Sequence, residues 1–277
     1  MSRQLIVNAD DYNTDKGRNR GILEAAARGI VTSTTVLANA AFSESALQGL
    51  HEIFGSRIGV HLNLTKGRPV CRITYSLAGP DGCFFSKHEA WRRAVTGRFD
   101  PHEVESEFTA QIKALQSAGI EPDHVDSNNH LHVFPGIAEA AARAAGRCGI
   151  RRIRLPREPL LWSLRQGGLG FVKKIFISLL ALRARSVFRC AGLCFPDRCA
   201  GLHVPDTRSA QSLARFLARV PDGITELICH PGYADRQNAF STAERERELA
   251  ALTADDVLQA VSNNAISLIS YSDIPCA

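Results

Sequence analysis

The sequence predicts an α/β fold in which a largely parallel sheet curls into a closed or nearly closed barrel. Along its 277 residues, short apolar or β-branched runs alternate with segments of helical periodicity, which is the pattern of repeated strand–helix–strand units. These runs are too numerous for a small open sheet. Polar clusters follow directly after several of them, as expected where the loops at the carboxyl ends of barrel strands build one site.

The candidate strands are short runs rich in Val, Ile, Leu or Thr that end at polar, Gly or Pro residues. In chain order they cover residues 4–8, 31–38, 58–64, 124–127, 152–155, 226–229 and 266–270. The candidate helices have apolar residues three or four positions apart, and several begin with Ser, Thr or Pro. They cover residues 16–28, 43–54, 101–118, 135–148, 209–220, 242–252 and 254–263.

Two stretches interrupt this alternation. Residues 65–99 are rich in Gly, Pro and aromatic side chains, and residues 157–207 are basic and mostly helical in pattern. Because both follow candidate strands, we expect a single domain over residues 1–277 with these stretches inserted at the active-site face. The apolar segment 171–193 is broken by Lys and Arg, so we expect a helix packed on the body of the protein. The same pattern allows an amphipathic helix in peripheral contact with a membrane.

The composition argues against several classes of protein. Lys and Arg exceed Asp and Glu by 33 to 28, but they are not densely interleaved with aromatic residues, so we expect no nucleic-acid partner. No uncharged apolar run reaches the roughly 18 residues of a membrane span, and no signal peptide is recognisable. The eight Cys residues lie in a chain too long for a disulfide scaffold. We therefore expect a cytoplasmic protein with reduced, buried thiols.

Two adjacent carboxylates, Asp10 and Asp11, end the first apolar run in the sequence LIVNADDY. Asp is rarely buried unless it is paired or bound to a metal. One of the two can cap the helix that follows, but two acids beside Asn8 exceed that need. The alternation of side chains loosens at the end of a strand, so both carboxylates can reach one site. We expect one to bind a metal and the other to handle a proton.

The third candidate strand, within GVHLNL, carries His61 and Asn63 on one face and its apolar residues on the other. A polar face on a barrel strand points to the lumen or its mouth. Beside the two carboxylates, this placement makes His61 a candidate metal ligand rather than a hydrogen-bonded core histidine.

The densest polar cluster is DSNNHLH, which runs from Asp126 to His132. Histidines two positions apart share a face at a strand end, which is typical of metal sites and makes His130 and His132 candidates. A polar loop that caps the next helix is the alternative. Asp126 can orient an imidazole by accepting its second N–H.

Two further strand ends carry charged residues. His230 precedes a Pro-Gly turn, and an ordinary histidine pKa of about 6.5 suits a proton donor at neutral pH. Arg154 closes another strand and can orient a carboxylate or the substrate.

The segments LIVNADDY, GVHLNLTKGRP, HVDSNNHLHVFP, RLPREP and ELICHPGYAD together resemble the YdjC-like carbohydrate deacetylases, a family that includes chitooligosaccharide and hopanoid-associated deacetylases. The resemblance spans residues 4 to about 235 and implies an irregular (β/α) barrel of the glycoside hydrolase and deacetylase type. It also implies one divalent metal ion, Zn²⁺ or Mg²⁺, and removal of an N-acetyl group from an amino sugar in a carbohydrate or glycolipid.

Transferred residue by residue, the resemblance makes Asp11 and His61 metal ligands, Asp10 the general base and His230 the general acid. We expect the remaining candidates to contact the substrate or to support these four: Asn8, Asn63, Asp126, His132, Arg154 and Tyr233.

The chain departs from the family at Asn128, where the family has His directly after the Asp-Ser pair. Either Asn128 binds the metal through its amide oxygen, which favours Mg²⁺, or His130 is the third ligand, which favours Zn²⁺. The sequence also allows hydrolysis of another small acyl group, such as formyl, or a metal- and glycan-binding protein that has lost catalysis. The expected partner is an amino-sugar carbohydrate, which the insertions allow to be phosphorylated or lipid-linked, and a homo-oligomer is compatible with the sequence.

Overall fold

A computed structural model describes residues 2–72, 75–159, 170–202, 204–235 and 241–276 of the chain. Within these ranges, seven strands form one sheet in which all paired strands are parallel. The strands are β1 (Arg3–Tyr12), β2 (Ser33–Val36), β3 (Ile58–Leu62), β4 (His124–Ser127), β5 (Arg198–Ala200), β6 (Gly223–Cys229) and β7 (Ile266–Ile269). Their order is β4-β3-β2-β1-β6-β5, and β7 pairs with the first half of β1.

Strand β1 lies at the centre of the sheet. One of its edges pairs with β6 from Arg3 to Ala9. The other edge pairs first with β7, up to Ile6, and then with β2, from Asn8 onward. Because neighbours cover both edges and helices cover the outer face, β1 is apolar along a continuous run rather than at alternate positions.

Backbone hydrogen bonds continue the sheet from β4 round to β5. The Val125 N–H donates to the Arg152 carbonyl at 3.0 Å, and the Arg154 N–H donates to the Val125 carbonyl at 2.9 Å. Further along, the Cys199 N–H of β5 donates to the Arg157 carbonyl at 2.9 Å. The chain between β4 and β5 thus links the two edge strands, and the irregular barrel predicted from the sequence is confirmed.

The helices are α1 (Lys16–Arg28), α2 (Glu44–Phe54), α3 (Lys87–Val95), α4 (Pro101–Ser117), α5 (Ile137–Arg147), α6 (Gly170–Cys190), α7 (Ala210–Leu217), α8 (Ala243–Leu252) and α9 (Asp255–Asn263). All helices predicted from periodicity are present, with small differences at their ends. The sequence prediction missed α3 and β5, which are short elements inside the two irregular stretches. It was wrong about a strand at residues 152–155, where only isolated bridges form.

Helix α6 packs on the body of the protein, as its pattern predicts. Its buried face consists of Ile177, Ala181, Ala184 and Phe188, spaced three or four residues apart. Its other face leaves Phe176, Leu179 and Leu182 exposed. Among the described residues, none of the helices combines the length and the apolar character of a bilayer span.

The expectation that every thiol is reduced is wrong for two cysteines. Cys194 and Cys276 form a disulfide, although 82 positions separate them in the sequence. The fold places the C-terminal segment beside the residues that precede Arg154, which brings the two Cα atoms to 5.6 Å. Proximity of this kind depends on tertiary structure, so the spacing of the cysteines did not indicate it.

Candidate metal and catalytic site

A cleft of about 240 Å³ opens at the carboxyl ends of the strands. Most of its lining residues come from the ends of β1, β3, β4, β5 and β6 and from the loops that follow, so it lies where barrel enzymes build their active sites. Six of the residues predicted from the sequence line this cleft: Asp10, Asp11, His61, Asn128, His130 and His230.

The end of β1 brings two neighbouring carboxylates to the cleft. The register of β1 against β2 shifts there, and Asp11 has a left-handed backbone with a φ of 73°. A regular strand would send adjacent side chains to opposite faces, so this irregularity allows Asp10 and Asp11 to line the same cleft. Neither caps the following helix, because Asp15 does so by accepting a hydrogen bond from the Arg18 N–H at 2.7 Å.

Arg154 is fully buried and contacts three carboxylates. Its Nη1 and Nη2 donate to the two oxygens of Asp10 at 2.7 Å each, Nη1 also contacts Asp126, and Nε donates to Glu226 at 2.8 Å. Burial alone would raise the pKa of Asp10, but the guanidinium outweighs it and holds that pKa well below its usual range. Asp10 is therefore ionised, fixed in orientation and a weak base in the free protein.

His61 is held by its Nδ1 and presents its Nε2 to Asp11. Nδ1 lies 2.7 Å from Asp126 Oδ1 and 3.1 Å from Thr35 Oγ1, whereas Nε2 lies 3.6 Å from Asp11 Oδ1. Burial alone would lower the pKa of His61, but Asp126, Asp10 and Asp11 outweigh it and raise that pKa to about 9. This arrangement of carboxylate, imidazole and free nitrogen is the one that usually orients a metal-binding histidine.

The donor atoms fit a divalent metal, and two placements are conceivable. Ligand atoms of Asp10, His61 and Asp126 lie within 4.8 Å of one another. However, Arg154 already forms ion pairs with Asp10 and Asp126, and its guanidinium group would repel a metal cation bound beside it. The space between Asp11 and His61 avoids this charge, and the separation of 3.6 Å between their donor atoms is close to the roughly 3.4 Å between two tetrahedral zinc ligands. We favour this second placement.

The two candidates for a third ligand both lie on the short 3₁₀ turn Asn128–Val133. Asn128 Nδ2 is 3.3 Å from Asp11 Oδ1, while its Oδ1 accepts from Thr65 Oγ1 at 3.1 Å. His130 has a left-handed backbone with a φ of 58°, and within the described part of the chain its buried Nδ1 has no hydrogen-bond partner. Both residues line the cleft, and Asn128 is beside the Asp11 carboxylate.

His230 faces Asp10 across the cleft, with 3.9 Å between Nε2 and Asp10 Oδ2. Its backbone is fixed, because the carbonyl accepts from Arg18 Nη1 at 3.0 Å and the N–H donates to Glu248 at 2.9 Å. Burial lowers the pKa of His230 from its ordinary value, although Asp10 and Glu248 oppose this shift. The imidazole is therefore neutral at pH 7 and able to accept a proton.

The other predicted residues lie behind the cleft or away from it. Asn8 donates to Asp10 at 2.9 Å and so helps to orient it. The side chain of Asn63 accepts from the backbone of the loop that follows β3, and it shapes that loop. His132 Nε2 lies 3.0 Å from the Arg154 carbonyl, so His132 supports that segment. The Tyr233 hydroxyl donates to a glutamate of α1 instead of lining the cleft.

Sequence reasoning missed two polar residues of this network. The Thr35 hydroxyl contacts both His61 Nδ1 and Asp126 Oδ2 at 3.1 Å. Glu226 is the third carboxylate that pairs with Arg154. A glutamate inside the apolar strand β6 was a usable signal, since charged residues are rarely buried without a partner. Thr35 gave no signal, because threonine is common in strands.

The sequence matches known proteins along nearly its whole length. The profile of the YdjC-like protein family matches residues 4–263. The chain belongs to the YdjC-like family. This YdjC-like chain is 33% identical to the human carbohydrate deacetylase, with 99% of the chain and 93% of the relative covered. It is 32% identical to the carbohydrate deacetylase of Geobacillus stearothermophilus, with 99% and 98% covered.

The solved structures support the same fold for this YdjC-like protein. A crystal structure from Enterococcus faecalis V583, described as that of a candidate cellobiose-phosphate cleavage protein, superposes with a TM-score of 0.76. The two chains share 24% of their residues, and 98% of each is covered. At that level of identity the match establishes the fold alone.

Proposed function

We propose that this YdjC-like protein is a metal-dependent hydrolase that removes an N-acetyl group from an amino-sugar-containing carbohydrate. The relatives named carbohydrate deacetylase support the reaction class. The observation that carries the proposal is the content of the cleft, in which a pair of metal-binding donors, Asp11 and His61, lies beside a carboxylate and an imidazole 3.9 Å apart, Asp10 and His230.

The proposed metal ligands are Asp11, His61 and one of Asn128 or His130. A divalent ion held there would act as a Lewis acid toward the acetyl carbonyl and would make a bound water more acidic. An amide oxygen from Asn128 would favour Mg²⁺, whereas an imidazole from His130 would favour Zn²⁺. We favour Asn128, because it holds the position at which the family has His. Its Nδ2 now contacts Asp11 Oδ1, so the amide would have to turn to present Oδ1 to the metal.

Asp10 is the proposed base that removes a proton from the attacking water. Arg154 fixes both of its oxygens, which orients the carboxylate but also weakens it as a base. A weak base suffices only if the water is already acidified, which agrees with a metal-dependent reaction. The pairing with Arg154 therefore links the role of Asp10 to the metal.

His230 is the proposed acid that protonates the departing sugar amine. It is neutral at pH 7 in the free protein, since burial lowers its pKa, so it must first gain a proton. The proton taken by Asp10 has a short path to His230 Nε2, 3.9 Å away. Transfer along this path would return Asp10 to its ionised state and would charge His230 for donation to the leaving nitrogen.

The walls of the cleft suggest the kind of carbohydrate. Ile177 of α6 and Leu202 line one side, while Lys87 lines the cleft at the start of α3. Beyond Ile177, α6 exposes Phe176 and Leu179. We therefore propose that the sugar carries an apolar group that lies along α6, as in a glycolipid, with peripheral membrane contact there. That the protein is cytoplasmic and that it forms a homo-oligomer are predictions from the sequence.

Acetate release tests the reaction. Protein stripped with a chelator and reloaded with Zn²⁺ or Mg²⁺ should release acetate from N-acetylglucosamine oligosaccharides or from a lipid-linked N-acetylglucosamine, and the stripped protein should not. His230→Gln should reduce turnover, whereas His102→Gln, at an exposed histidine of α4, should not. If the N-formyl analogues release formate faster than the N-acetyl compounds release acetate, the preferred substrate is a formylated sugar. Metal binding without release of either acid would refute the enzymatic proposal.

A further inference from the structure

A second cavity, of about 420 Å³, lies at the amino-terminal ends of β5 and β6. This end of the sheet is opposite to the cleft, which the carboxyl ends of the same strands border. The charged residues that line it are three arginines and two aspartates: Arg157, Arg185, Arg198, Asp197 and Asp222. Neither the proposed reaction nor the predicted site residues involve this cavity.

Two of the three guanidinium groups have no partner among the described residues. Over the described ranges, the Arg157 guanidinium has no hydrogen bond or ion pair, and the buried Nε of Arg185 has no hydrogen-bond partner. Arg198 uses only Nη1, which donates to the Asp222 carbonyl at 2.9 Å. A buried N–H without an acceptor is unfavourable, and like charges around one cavity repel each other. The guanidinium groups of Arg157 and Arg185 therefore lack an anionic partner among the residues that the structure describes.

Asp197 does not supply that acceptor. Asp197 Oδ2 accepts from the Ile224 N–H at 2.9 Å, and Asp197 forms no ion pair with the arginines among the described residues. Gly223 packs against the same oxygen so closely that a Cβ there would lie 2.5 Å from it. Asp197 is thus committed to fixing the start of β6, and Asp222 contributes its backbone carbonyl to Arg198.

From this arrangement, we infer that the cavity binds a phosphate group through Arg157, Arg185 and Arg198. The planar guanidinium matches the oxygens of a phosphate with paired hydrogen bonds, which makes arginine the usual residue for this ligand. The volume of 420 Å³ lies within the range of about 300–1,000 Å³ for small-molecule sites, so it accommodates a phosphorylated small molecule as well as the free ion.

Calorimetric titration at constant ionic strength tests the site. The probes are inorganic phosphate, glucose 6-phosphate and glucose, added to the wild-type protein. Both phosphate probes should bind and glucose should not. Tighter binding of glucose 6-phosphate would identify a phosphate ester as the ligand, and equal affinities would identify the free ion. No binding of either phosphate probe at millimolar concentration would overturn the inference.

Matched variants locate the binding. The double variant Arg157→Gln with Arg185→Gln should weaken phosphate binding at least tenfold, while Arg189→Gln, at an exposed arginine of the same helix, should leave it unchanged. If the double variant does not fold, Arg185→Lys replaces it in the test. This variant keeps the positive charge but loses the paired hydrogen bonds of a guanidinium group, so it should also weaken phosphate binding. Binding that survives these changes but is lost in Lys87→Gln, at the lysine that lines the cleft, would place the phosphate in the cleft and refute the inference. Acetate release should be unaffected by the arginine changes, so the two proposals fail separately.

Discussion

Binding of a metal to the cleft should displace a proton from His61. In the metal-free protein, Asp126, Asp10 and Asp11 raise the pKa of His61 to about 9 despite burial, so the imidazole is charged at neutral pH. A metal needs the neutral imidazole, with a lone pair on Nε2. Nδ1 keeps its proton and its contact of 2.7 Å with Asp126. The proton lost must therefore come from Nε2, the atom that faces Asp11.

The magnitude follows from the pKa. With a value of about 9, only about 1% of His61 is neutral at pH 7. The apparent affinity for the metal should rise about tenfold between pH 7 and pH 8 and about 50-fold between pH 7 and pH 9, where half of His61 is neutral. Each ion bound at pH 7 should release about one proton. Because the folded pKa exceeds the unfolded one, the same proton stabilises the metal-free fold below about pH 6.5, and this contribution disappears as the pH rises through about 9.

Titration calorimetry with Mg²⁺ at pH 7, in buffers of different ionisation enthalpy, measures the proton count directly. Mg²⁺ is suitable because its coordinated water keeps its protons in this range. Asp126→Asn removes the carboxylate that raises the pKa of His61 most, so this variant should release fewer protons at pH 7. An affinity that is flat between pH 7 and pH 9, with no proton released, would refute the proposed ligand role of His61.

Three further predictions concern the same network. Asp10→Asn should keep the metal but lower turnover by about 10²–10⁴-fold, which is the usual scale for a general base. The control is Asp256→Asn, at an exposed aspartate. Near-normal acetate release in Asp10→Asn would exclude Asp10 as the base. Asn128→Ala should weaken Mg²⁺ binding in calorimetry more than His130→Ala does, and the reverse order would make His130 the third ligand. Arg154→Met should lower the free energy of unfolding in urea by about 3–5 kcal/mol, because three buried carboxylates lose their partner, and a loss below about 1 kcal/mol would show that the network relaxes.

The sequence by itself predicted most of the helices and strands and six of the residues that line the cleft. Helical periodicity of three to four residues and strand runs of branched residues depend on local preferences, so α1 to α9 were predicted except for the short α3. The polar clusters at strand ends predicted one shared cleft, because the carboxyl ends of parallel strands meet at one face of a barrel. Asp10, Asp11, His61 and His230 all line that cleft.

The tertiary structure decided which atoms meet, because contacts between distant segments leave little trace in local patterns. Arg154 binds Asp10 from 144 positions away, and that pairing changes Asp10 from an ordinary carboxylate into a weak base. His132 follows the same two-residue spacing as a ligand, yet its ring turns to the Arg154 carbonyl. The disulfide of Cys194 and the arginine-lined cavity likewise arise only where the folded chain brings separate segments together.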